Sequence, residues 1–384
     1  MPRPISEEMS SIFGVSWLRT TVVLGIAAAS LATASASAKV DPSRYGTIQP
    51  SRYGAISAMN GFALSELPRS QWNRQLAAMH ADGVQLVRSD ADWGTIEPQA
   101  PGTSRPSWQF SSTDVWVAAL ASHHLTWQPI LDYDNSWAQA VNDIPAFASF
   151  GQAVAARYGI GGSFWAQHPR LPYLPVQIFE VWNEENGQPW FITSQDYDLL
   201  YAATRAAIHR VDPQASVDVG GLSDDSGDFN PDQDYPVWYV VDMLDADPAL
   251  VGNIDGFALH PYGTTATDVL EWVADFRKAL DALHESSAPI DITEFGWVTG
   301  SASVESWRAA QMNALGLAFS RSNCGIREAA PYDWINPSVL DEPGDFGFVD
   351  RSAEDTTLRP AAVTWFRAFT AGSSMAPLDM CGAS

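Results

Sequence analysis

Short apolar runs alternate along this chain with stretches whose apolar residues recur at helical spacing. The runs span 55–60, 84–88, 125–131, 176–182, 216–220, 254–259, 289–293 and 326–334. Helical patterns follow them at 70–81, 113–123, 144–158, 195–211, 236–244, 269–283, 304–320 and 360–369. The clearest places Val269, Val273, Phe276, Leu280 and Leu283 on one face at i, i+4, i+7, i+11 and i+14. The strand runs are continuously apolar rather than alternating, the pattern of strands covered on both faces. Repeated strand–helix units with no linker or composition break predict one (β/α)8 TIM barrel over residues 53–371, with 372–384 as a C-terminal tail. A doubly wound open sheet gives similar local signals, but no glycine-rich phosphate loop follows the first strand.

In such a barrel, residues at the C-terminal ends of the strands share one mouth, where active sites sit. Polar and aromatic residues gather at those positions: Asn60, Arg88, Asp90, Trp93, Asp132, Trp182, Asn183, Glu184, His260, Tyr262, Glu294, Trp297 and Trp334. Two of these segments, Phe179–Asn186 (FEVWNEEN) and Ile292–Trp297 (ITEFGW), each end a hydrophobic strand in a glutamate. Cleavage of a glycosidic bond requires such a pair. One carboxyl is held protonated for the leaving oxygen, and the other is ionised to attack or to activate water.

The pair VWNEEN and ITEFGW resembles the retaining glycoside hydrolases of clan A. RSDADWGTIEP at 88–98, LHPYG at 259–263 and the late DFGFVD and LRPAAVTWF segments look most like glycoside hydrolase family 39 and its near relatives. The likeness covers essentially the whole chain after its N-terminal segment. It implies Glu184 as acid/base, Glu294 as nucleophile and Asn183 as donor to the sugar 2-hydroxyl. The family commonly carries proline after its acid/base glutamate, whereas Glu185 stands here, and a second carboxyl next door bears on the proton affinity of the first.

The remaining mouth residues each have two readings. Arg88 either keeps Glu294 ionised or pairs structurally with Glu180. His260 hydrogen-bonds the acid/base or the sugar, or is a satisfied core histidine, and Tyr262 orients the nucleophile or simply packs. Trp334 is the candidate stacking platform, with Asp132 and Trp297 as further sugar contacts. Trp116, Trp272 and Trp307 lie in helices and are expected in the core. The alternatives to a hydrolase are a transglycosylase with the same site and a catalytically silent carbohydrate-binding barrel.

Composition narrows the partners. A net charge of −24 offers no basic stripe for nucleic acid or for anionic membranes. No cofactor is expected. No metal is expected either, because His123–His124 closes a helix and the other histidines are scattered. Arg19, the apolar run 21–32 and the small-residue stretch 34–38 predict an export signal over 1–38, followed by a segment 39–52. The start is Met1 or Met9, and the destination is extracellular or periplasmic. In an oxidising compartment Cys324 and Cys381, the chain's two cysteines, are expected to form a bridge, with two free buried thiols as the alternative.

Overall fold

The computed structural model describes residues 55–64, 67–101, 106–223, 235–336, 345–349 and 356–382. The expected export signal and segment 39–52 lie outside them.

Eight parallel strands close in sequence order into one barrel. They are β1 (Ile56–Asn60), β2 (Leu86–Asp92), β3 (Thr126–Asp132), β4 (Ile178–Val181), β5 (Ser216–Ser223), β6 (Gly256–His260), β7 (Ile290–Ile292) and β8 (Ile326–Ala329). Closure comes from β1 against β8, with Ile56 opposite Glu328 and Ser57 opposite Ala329. The helices are α1 (Arg69–Ala81), α2 (Trp93–Ile96), α3 (Ser111–Ser122), α4 (Ile144–Tyr158), α5 (Ser163–Gln167), α6 (Ser194–His209), α7 (Pro236–Ala246), α8 (Ala266–Ala282), α9 (Ala302–Phe319) and α10 (Pro360–Gly372). The short helices α2 and α5 carry too few residues to show a period in the sequence. Among the described residues, no helix is long and apolar enough to cross a membrane.

Local chemistry sets the helix starts. The Asp143 side chain accepts from Ala146 N, with Pro145 in the first turn of α4, and Thr265 and Asp268 form a reciprocal capping box on α8. The β period then sorts the strand residues. Val87, Leu131, Phe179, Val181, Val217, Val219, Phe257, Leu259, Ile290 and Ile292 join the core formed with the helices. A smaller apolar cluster of Ile56, Ala58, Leu86, Ile178 and Ala330 stands apart from that core.

Two arginine-centred networks cross between strands. Arg327 on β8 reaches Asp291 on β7, and its Nη2 and Nη1 donate to Asp218 Oδ2 (2.6 Å) and Ser216 Oγ (2.7 Å) on β5. Arg88 on β2 binds Glu180 on β4 in two parallel bonds of 2.7 Å. Such pairs are costly to desolvate and strongly destabilising to break, so they fix side-chain geometry more than they add stability.

A disulfide joins Cys324, just before β8, to Cys381 beyond α10, with Cα atoms 5.2 Å apart. α10 returns the chain to the end of the barrel where β8 begins, which is why the two cysteines meet.

Candidate active site

β4 ends at Val181, and the chain then turns sharply. Trp182 and Glu184 take φ values of 72° and 53°, the left-handed region that side chains with a Cβ avoid. Each such residue costs about 1–3 kcal/mol, and such conformations cluster at functional sites. The turn directs the Glu184 carboxyl to His260, whose Nδ1 lies 2.9 Å from Glu184 Oε1. The His260 side chain is fully buried, whereas that of Glu184 is 25% exposed.

Glu294, two residues past β7, is held much more tightly. Arg88 Nη1 donates to its Oε1 at 2.7 Å, the Tyr262 hydroxyl donates to Oε2 at 2.8 Å, and Asn60 Nδ2 stands 3.5 Å from Oε1. Burial works to raise its pKa. The charges of His260 and Arg88 and the hydrogen bonds from Tyr262 and Arg88 outweigh burial and hold it below the usual carboxylate value. Burial, then the charge of Glu294, push the Tyr262 phenol well up, so that it remains an O–H donor.

One carboxylate oxygen of Glu184, one of Glu294 and one ring nitrogen of His260 all lie within 4.8 Å of one another. This trio has the donor set of a cation site. The Arg88 guanidinium already occupies the Glu294 carboxylate, however, and adds positive charge where a metal ion would sit. The arrangement suits proton transfer and nucleophilic attack better.

Asn183 links the two halves, accepting from Arg88 Nη2 at 2.8 Å while its Nδ2 stands 3.4 Å from the Tyr133 hydroxyl. Glu185 is fully buried. Burial, opposed by its own backbone N–H and the Tyr197 hydroxyl and reinforced by the charges of Glu180 and Glu184, pushes its pKa well up.

Not every residue singled out in the sequence reaches the mouth. Trp334 is fully buried, its Nε1 donating to Gln75 of α1 at 2.8 Å and its ring packed near Phe366 of α10. It is part of the core, not a stacking platform. β8 ends at Ala329, earlier than the apolar run that continues to 334; beyond it Ala330 N and Tyr332 N still donate to Ile292 O and Phe295 O, and Trp334 N donates to Asn60 O at the end of β1. Asp132 is also fully buried with both oxygens unpartnered, so a sugar has no access to it. Asp90, on the neighbouring strand and partly exposed, is the carboxyl nearer the surface. Trp297 is 9% exposed, with Nε1 bound to Gly263 O and its ring edge-on to Trp307. Trp307 itself is 39% exposed rather than core, while Trp116 and Trp272 are buried. Trp93 turns inward and stacks among Trp137, Phe147 and Phe150.

Two features went unread in the sequence. Trp190 lies 39% exposed on the loop after β4, stacked on Tyr133 at 4.3 Å between centroids. Its signal was a tryptophan in a loop, Gly187–Gln–Pro–Trp190, with no period to bury it. The second is the glycine pair Gly220–Gly221 in β5.

No family model matches the chain, and no curated protein matches it. Solved structures do. A family 39 glycoside hydrolase from the gut symbiont Bacteroides cellulosilyticus WH2 aligns with a TM-score of 0.63 at 16% identity, over 85% of this chain and 66% of that one. A family 39 β-xylosidase from Caulobacter crescentus gives 0.59 at 15% identity, over 82% and 71%. The endo-1,4-β-mannanase of Rhizomucor miehei gives 0.55 at 13%, over 83% and 95%. The chain thus spans just under two thirds of the first of these proteins and nearly all of the last. At such identities what is shared is architecture: this chain has the (β/α)8 barrel found in these glycoside hydrolases.

Proposed function

We propose that the protein is a retaining glycosidase that cleaves O-glycosidic bonds of oligo- or polysaccharides by double displacement. The observation that carries this reading is the close approach of two unequally held carboxyls. Glu184 and Glu294 bring oxygens within 4.8 Å of each other, near the roughly 5–5.5 Å used for direct attack and short of the roughly 6.5–9.5 Å that leaves room for a water.

Glu294, kept ionised by Arg88 and Tyr262, attacks the anomeric carbon to form a glycosyl-enzyme, and the glycosidic C–O bond breaks. Glu184 delivers its proton to the departing oxygen, then takes a proton from the water that releases the sugar. His260, hydrogen-bonded to Glu184, orients that carboxyl through both steps. Asn183, whose Oδ1 accepts from Arg88, donates to the 2-hydroxyl in this scheme. No cofactor takes part in this scheme. The N-terminal signal makes the enzyme an exported one, with carbohydrate as its partner.

The test is stereochemical. Aryl β-xylosides and β-mannosides, suggested by the activities of the similar structures, head a panel of substrates. Proton NMR within the first minutes of reaction should show a product with the anomeric configuration of the substrate. A first product of inverted configuration overturns the role of Glu294, and no cleavage across the panel overturns the enzyme reading.

A further inference from the structure

Gly220 and Gly221 stand side by side where β5 slips register against β6. Val219 pairs with Phe257 and Leu222 with Leu259, so β5 spends one residue more than its partner. This is a β-bulge, a device that re-aims side chains beside active sites. Neither glycine has a positive φ, so an ordinary backbone would fit here. Only a side chain would not. A methyl group on Gly221 would overlap the His260 imidazole at Nε2 and Cε1. One on Gly220 would overlap the Glu185 carboxyl and lie 2.6 Å from Val181 O. The two residues that flank Glu184, one in space and one in sequence, therefore fill the volumes of two missing side chains.

The bulge is tied to the end of β4 as well. Gly220 N donates to the Tyr197 hydroxyl at 2.8 Å, and that hydroxyl donates to Val181 O at 2.7 Å. His260 depends on the fit. Its buried Nε2 has no hydrogen-bond partner and stands 3.8 Å from Glu294 Oε1, so no hydrogen bond fixes the far edge of the ring and its position depends on packing together with that longer charge contact.

We infer that Gly221 is a positioning residue for proton transfer: by leaving room for the imidazole it locks His260 onto Glu184, and Gly220 seats Glu185 behind them in the same way. This rests on Glu184 being the acid/base. Without the ring in place, Glu184 is free to rotate out of line with the leaving oxygen, and the step that suffers is protonation rather than binding.

The experiment is a double-mutant cycle, read on two aryl glycosides that share one sugar and differ in leaving group. Gly221→Ala should lower kcat/KM on the poor leaving group by about ten- to a hundredfold and much less on the good one, mainly through kcat. In a His260→Ala background, the same change should have little further effect, because the clash has no partner. Equal losses on both leaving groups, or the same fold-loss in both backgrounds, would overturn the inference. Melting temperatures give a second cycle if Gly221→Ala folds poorly: a drop relieved by His260→Ala supports the fit, and an equal drop in both backgrounds refutes it. If the wild type cleaves no glycoside, the functional reading falls and ring ¹⁵N shifts of His260 decide the positioning alone. Shifts altered by Gly221→Ala support it, and unchanged shifts refute it.

Discussion

Arg88 reaches Glu294 with Nη1 at 2.7 Å while Nε and Nη2 of the same guanidinium grip Glu180, also at 2.7 Å. One end of the guanidinium is thus anchored inside the barrel before the other meets the mouth. Arg88 is almost fully buried, and Glu180 supplies the charge that makes its burial tolerable. A planar fork held in this way is preorganised, so little reorganisation would be needed if Glu294 gives up its charge, as the proposed attack requires. The two carboxyls of the site consequently differ in kind. Glu294 has three donors, while Glu184 has one histidine and an open face.

That asymmetry gives Glu184→Gln a defined signature. Substrates with very good leaving groups should retain most of their cleavage rate, because they need little protonation, while poor ones should lose about a hundredfold or more. Equal loss across a leaving-group series, measured by steady-state kinetics, would argue against Glu184 as the acid.

Tyr262→Phe removes one donor from Glu294, whose pKa is held below the usual value by His260, Arg88 and this hydroxyl acting against burial. A depressed carboxyl is ionised over most of the pH range and loses its charge only as the pH falls through that low value. Without the hydroxyl the value rises, so the acid limb of kcat/KM should move to higher pH, with a modest loss at the optimum. An acid limb that stays in place would show that the hydroxyl does not tune Glu294.

Asp90 links pH to stability. Burial, opposed by Arg88 and reinforced by the charges of Asp92, Glu294 and Glu180, raises its pKa to about 7. The native state then holds this proton more tightly than the unfolded chain. The stabilisation is fully present below the unfolded value of 3.8 and is lost as pH rises through about 7. Asp90→Asn should melt higher than wild type at pH about 7, with the gap closing toward pH about 4. A gap that widens on acidification in calorimetry or circular dichroism would count against this sign.

The Cys324–Cys381 bridge closes a loop with a sequence separation of 57. The chain-entropy model assigns a loop of that length about 4 kcal/mol. Cys381→Ser should lower the denaturation midpoint accordingly while leaving KM unchanged, since the bridge joins residues before β8 and after α10 rather than at the mouth. Free-thiol labelling of unreduced, denatured protein should find none.

The barrel, and the positions of Glu184 and Glu294 just past β4 and β7, were legible in the sequence for a local reason. Strand and helix periods, caps such as Asp143 and Thr265, and a polar residue at each strand end are all set by neighbours within a few positions, and the expected helix 144–158 coincides with α4. Tertiary structure alone decided which side chains meet across the mouth. Trp334 could face the sugar or the helices, and the outcome turned on Gln75 and Phe366, which offer its indole a partner and a packing surface from α1 and α10. Asp132 ends its strand as expected, yet its depth follows from the groups packed over it. Gly220 and Gly221 matter for the volume they leave to Glu185, from the turn after β4, and to His260, from the end of β6. Periodicity records which face of an element is buried. The shape of the space between two elements far apart in the chain depends on both at once, and it exists only once the barrel has closed.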